Sequence, residues 1–85
     1  MKEIKYTIQD ALGIHARPAG MLVKVAGQFA SAIAIDNGTK KADAKRIMAV
    51  MSMGVKQGQE VTVTAEGADE DAAIAALETF FKENL

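Results

Sequence analysis

EVTVTAEG, Glu60 to Gly67, is the stretch that decides the fold. Apolar Val61, Val63 and Ala65 alternate with polar neighbours. Successive strand side chains point to opposite faces, so the stretch predicts a strand with one buried side. Residues 2–9 repeat the pattern, with Ile4, Tyr6 and Ile8 on one side and Glu3, Lys5, Thr7 and Gln9 on the other. SAIAID, residues 31–36, reads as another strand. Asn37-Gly38 follows it directly, and both residue types tolerate positive φ, so a tight hairpin should return the chain through Lys40 to Asp43. Strands that are apolar on one side and polar on the other build a sheet that needs cover on one face only.

Three segments can supply that cover. Residues 16–27 place Ala19, Leu22, Val23 and Ala26 at helical spacing, with Gly27 as a stop. Pro18 suits a first helical turn because its missing N–H has no partner there, and the restriction it puts on the preceding residue sets the helix start near Arg17 or Pro18. RIMAVMSMG, 46 to 54, reads as a short helix with Ile47, Val50 and Met51 inward, Met48 and Met53 toward solvent, and Gly54 as the stop. Asp69, Glu70 and Asp71 load the first turn of a last helix, where negative charge suits the dipole. Its buried face is Ala73, Ile74, Leu77, Phe80 and Phe81. The order is β-α-β-β-α-β-α, an α+β two-layer sandwich, expected as a single domain over residues 1–85.

Composition narrows the function. Of 85 residues, 49% are hydrophobic and 25% charged, which is ordinary for a globular protein. Cysteine is absent, which removes disulfides and thiolate chemistry. The net charge is −1 and the basic residues are scattered, whereas a nucleic-acid binder carries a basic excess or patch. MKEIKYTIQD has no apolar signal region. The longest apolar run, AGMLVKVAGQFASAIAI, is interrupted by Lys24 and Gln28 and is shorter than the ~20 residues of a membrane span. The expectation is a cytoplasmic protein that does not insert into membranes.

GIHARPAG, 13 to 20, holds the only histidine and the only proline. His15 sits just ahead of a predicted helix N-terminus, whose free amides and partial positive charge favour anions. Arg17 adds a fixed cation with a planar donor fork suited to phosphate. Gly13 allows a tight turn before His15. The cation and the helix end disfavour imidazolium, and a neutral ring keeps a lone pair that can attack phosphorus. The residues alone leave a second reading open, in which His15 is a polar cap at a helix start. No second histidine or any cysteine is present to complete a metal site, and none is expected. Nothing calls for a cofactor. Exposed methionine on the short helix, joined by Gly20 and Met21, would form an adaptable contact surface; gap-filling in the core is the competing reading.

GIHARPA, then AKRIMAVMSMGVKQG, then EVTVTAEG together resemble the histidine-containing phosphocarrier (HPr) family of the bacterial phosphotransferase system, over nearly the whole chain. The resemblance implies an open-faced β-sandwich, a four-stranded antiparallel sheet with three helices on one side. It implies a carrier that takes a phosphoryl group from Enzyme I and gives it to the IIA domains of sugar permeases, without being a turnover enzyme. His15 resembles the family's phosphorylated histidine, reacting through Nδ1. Arg17 resembles its phosphate-side arginine. Pro18 matches the motif proline, and Ala16 and Arg17 supply amides near the phosphate. Gly20, Ile47, Met48 and Met51 fall where the family meets its partners. Many members carry a kinase-modified serine at the start of the second helix, where this chain has Arg46, so the resemblance carries over the carrier role and no serine switch.

Two other functions fit parts of the sequence. One is a regulatory paralogue with the same site in another phosphorelay branch, which only partner assays separate from the sugar carrier. The other is a binding module, for RNA for example. Its few aromatic residues, Tyr6, Phe29, Phe80 and Phe81, mostly read as core, and His15 beside Arg17 argues against it. A monomer is expected.

Overall fold

The structure, a computed structural model, describes residues 1–85. The elements are β1 (Lys2–Thr7), α1 (Ala16–Ala26), β2 (Ala32–Asp36), β3 (Lys41–Asp43), α2 (Ile47–Ser52), β4 (Glu60–Glu66) and α3 (Glu70–Asn84). The four strands form one antiparallel sheet in the order β1-β4-β2-β3. The most regular alternator therefore lies inside the sheet. In β4, Val61, Val63 and Ala65 are fully buried while Thr62 and Thr64 stand on the open face. Ile4 pairs with Val63 and Tyr6 with Val61, and Ile35 meets Val63 from the other side, so inward residues share rows across the sheet. This is the expected α+β open-faced sandwich.

One cluster of 20 buried residues fills the space between sheet and helices. Leu22 from α1, Val50 from α2, and Leu77 and Phe81 from α3 are at most 1% exposed. Phe81 also stacks on Tyr6 at 5.6 Å and meets Phe80 edge to face at 5.8 Å. Helix α3 covers β1 and β4, α1 packs against α3 and α2, and α2 reaches β3.

Three local expectations are corrected. The hairpin after β2 is wider than a two-residue turn. Asn37 N–H donates to Lys40 O at 3.0 Å, only Gly38 has positive φ, and the Asn37 side-chain oxygen accepts from the amides of Thr39 and Lys40. Asparagine thus acts through its side chain here and keeps ordinary dihedrals. Helix α1 begins at Ala16, so Pro18 is its third residue. That position is still in the first turn, where no intrahelical bond is lost. In α2, Ile47 and Met51 are each 40% exposed, whereas Met53, expected outside, is 6% exposed. Val50 and Met53, three apart, form the buried stripe instead.

Candidate functional site

The β1–α1 loop is held in place before it presents any chemistry. Gly13 has φ +67, and a Cβ there would lie 2.1 Å from Val55 O. Only glycine allows this approach, which lets Ile14 N–H bond Val55 O at 3.1 Å. Gly13 N–H closes the turn on Asp10 O at 2.9 Å, and the Asp10 carboxylate takes Leu12 N–H at 2.8 Å. With Ile14 buried as an anchor, His15 emerges in extended conformation, φ −91 and ψ −174, as the N-cap of α1.

His15 uses its carbonyl, not its ring, in the cap: Ala19 N–H donates to His15 O at 2.9 Å, and no side-chain cap bond forms. The amides of Ala16 and Arg17 donate to no acceptor in the chain, and Pro18 has no N–H. A half-buried imidazole therefore stands beside two free, exposed backbone donors at a positive helix end. The first turn of α1 carries no acid. The Arg17 side chain is exposed and lines, with His15, Pro18, Met21, Asp10 and Asn84, an open cleft of about 250 Å³.

All four residues singled out for phosphate, His15, Ala16, Arg17 and Pro18, thus come together, as adjacency in sequence dictates. Gly20 and Ile47 also meet: a Cβ on Gly20 would touch Ile47 Cδ1 at 3.6 Å. Around them Met21, Ile47, Met48 and Met51 are 42%, 40%, 76% and 40% exposed. The short helix therefore gives more of itself to the surface than expected, and the patch continues from the His15 cleft across Gly20 to α2.

Two cleft residues escaped the sequence reading. The Asp10 carboxylate lies 3.9 Å from His15 Nε2, too far for a hydrogen bond. Asn84, whose Nδ2 donates to Phe80 O at 3.0 Å, reaches the cleft from the end of α3. Asp10 lies five residues before His15, in the connection between β1 and α1, and no periodic pattern there points it at the ring. Asn84 is 69 positions from His15 in sequence, and nothing in the chain announces that contact.

A family model described as the PTS HPr component phosphorylation site matches residues 2–83. The phosphocarrier protein HPr of Lysinibacillus sphaericus is 48% identical over 83 residues, covering 98% of this chain and 94% of that protein. The histidine-containing phosphocarrier protein of a mycoplasma superposes with a TM-score of 0.94 at 40% identity, over 96% of this chain and 93% of that one. An HPr dimer from Thermoanaerobacter tengcongensis superposes at 0.77 with 44% identity, over 98% and 95% of the two chains. No helix here is long and apolar enough to cross a membrane. With the fold, the length and both motifs in agreement, the chain belongs to the HPr family, the phosphocarriers of the phosphotransferase system.

Proposed function

We propose that His15 is the residue that carries the phosphoryl group, accepting it from Enzyme I and yielding it to the IIA domains of sugar permeases. The observation that carries this reading is the pair of free amides at Ala16 and Arg17 beside an uncapped, solvent-reaching imidazole. The Asp10 carboxylate favours the proton on Nε2, which leaves the Nδ1 lone pair for phosphorus. In the transfer that lone pair forms the N–P bond. The bond from phosphorus to the donor breaks, and its electron pair stays with the donor. The product adds about two negative charges where the amides and the Arg17 guanidinium can receive them. Catalysis of this kind is positioning plus electrostatics, which a small rigid carrier can supply.

Every residue assigned to the site comes from one chain, so a single chain is taken as the working unit, acting in the cytoplasm. The carrier role is preferred to a regulatory one because the relative matched over 94% of its length is named a phosphocarrier protein. The test is incubation with phosphoenolpyruvate and Enzyme I, followed by mass measurement. One acid-labile phosphate per chain is expected, and none in His15→Ala, which should still fold because His15 lies at a loop–helix junction. Labelling of a folded His15→Ala protein would reject the assignment.

A further inference from the structure

Two distant stretches of the chain converge on the residues that lead into the His15 loop. Leu85, buried at the end of α3, accepts the amides of both Gln9 and Asp10 on its carbonyl, the second at 2.8 Å. The connection between α2 and β4 supplies the other contacts. Val55 O takes Ile14 N–H at 3.1 Å, Gly58 N–H donates to Ile8 O at 2.9 Å, and Ile8 N–H donates to Gln59 O at 3.0 Å. These bonds join backbone to backbone and ask little of residue identity. One bond in the group depends on a side chain: Gln57 Nε2 donates to Gln9 O at 3.0 Å, across 48 positions of sequence.

That bond acts next to the site. Gln9 O and Asp10 N belong to the same peptide unit, so Gln57 holds its oxygen while Leu85 holds its N–H. With both ends of a planar unit taken, the direction in which residue 10 begins is fixed. The Asp10 carboxylate then takes Leu12 N–H at 2.8 Å and lies 3.9 Å from His15 Nε2. Gln57 is itself carried on a tight turn. Gln59 N–H closes the turn on Lys56 O at 3.2 Å, the Gln59 side chain accepts Lys56 N–H at 2.8 Å, and Gly58 takes φ +87. Gln57 is exposed and fills no space in the core, so its side chain serves the chain through this bond.

We propose that Gln57 is a positioning residue for phosphoryl loading: by holding the Gln9–Asp10 peptide it keeps the Asp10 carboxylate at Nε2 of His15 and Nδ1 open to the donor. This rests on the assignment of His15 and extends it to a residue on another loop. Gln57 touches neither the ring nor the phosphate and acts only through Asp10. Its effect therefore falls on the transfer step, where the aim and the proton of the ring matter, and not on donor binding.

The experiment mixes phosphorylated Enzyme I of Lysinibacillus sphaericus with excess full chain in a single turnover, and reads the saturating rate and the half-saturating concentration separately. Nitrogen-15 NMR of the His15 ring in the free protein gives the ratio of the two neutral tautomers. Gln57→Ala and Gln57→Glu should lower the saturating rate about two- to fivefold, leave half-saturation within about twofold, and raise the share of the Nδ1-protonated ring. Gln57→Lys, whose ammonium donates to the same carbonyl, should return rate and ratio to within about twofold. Lys56→Ala, which keeps the backbone bonds of the turn, should change neither. The proposal requires both readouts to move in Gln57→Glu, and a change in only one, or in neither, would overturn it. So would a loss that Gln57→Lys or Lys56→Ala shares, since the turn and not the donated bond would then be responsible. If the unmodified chain takes no acid-labile phosphate, the His15 assignment falls first and the positioning role with it. Normal loading with an indifferent Gln57 removes the positioning role alone.

Discussion

At His15 a positive helix end and a carboxylate border one ring. The free amides of Ala16 and Arg17 lie on the helix side and Asp10 lies 3.9 Å from Nε2. In the proposed role, Nε2 beside Asp10 is the oriented nitrogen and Nδ1 the one left to react. Arg17 is the residue whose role here can be isolated, because it is exposed and makes no ion pair in the chain. Arg17→Ala should slow phosphoryl loading about five- to tenfold, the effect of ~1–1.5 kcal/mol from one charge-assisted bond at an exposed site. The two amides remain to hold the phosphate. Rapid-mixing transfer rates check this, with the melting temperature unchanged. At this scale the sequence was largely legible, because His15, Ala16, Arg17 and Pro18 are consecutive and the helix start arranges them. Asp10 and Asn84 were not, since their place in the cleft depends on a turn and on the far end of α3.

Among the elements, α2 separates periodicity from packing. Six residues make fewer than two turns, too few for a spacing rule to choose a face when nearly every residue is apolar. Neighbouring elements made the choice, leaving Val50 and Met53 at 1% and 6% exposure and Met48 at 76%. Met53→Ala should therefore cost ~2–4 kcal/mol in urea unfolding, as core truncations do, and Met48→Ala less than about 0.5 kcal/mol. Met48→Asp should weaken binding to Enzyme I without lowering stability, which titration calorimetry and melting together decide. The strands were easier to read, because alternation over seven residues in β4 leaves one register compatible with a buried face. The loop before α1 was read as a turn, but its rigidity was not. Gly13→Ala places a methyl on the Val55 carbonyl and demands an unfavourable φ. A loss of ~2 kcal/mol or more is expected, from the dihedral and the displaced backbone together. Slower loading of His15 should accompany it, because the same turn aims the ring.

Over the whole molecule, the strand order β1-β4-β2-β3 joins segments that local sequence cannot pair, and a second long-range connection holds the result together. The sequence assigns the acids at the start of α3 to its own dipole. Glu70 does act locally, accepting Gly67 N–H at 3.2 Å. Asp69 does not. Its carboxylate crosses to the α1–β2 turn, where it accepts the amides of Ala30 at 2.8 Å and Ser31 at 2.9 Å and the buried Ser31 hydroxyl. The Ser31 hydroxyl, then the Ala30 amide, holds the Asp69 carboxyl below its ordinary range. Glu70 is lowered too, first by the Gly67 amide and then by the amino group of Met1. A lowered folded value means that the unfolded chain takes up the proton first as pH falls. The stabilisation is therefore complete above the ordinary aspartate range and is lost as pH falls through the depressed folded value. Asp69→Asn should unfold at lower urea than the unmodified protein at pH 7, because an amide cannot accept the same three donors without its charge and its own N–H groups turn toward them. The difference should narrow steadily below about pH 4, as the native carboxylate is neutralised as well. A deficit that stays constant from pH 7 to pH 2.5 would mean that side-chain shape, not carboxylate charge, ties the start of β2 to the start of α3. A deficit that narrows would show that one ionised side chain, 38 residues from its partner in sequence, links the α1–β2 turn to the start of α3.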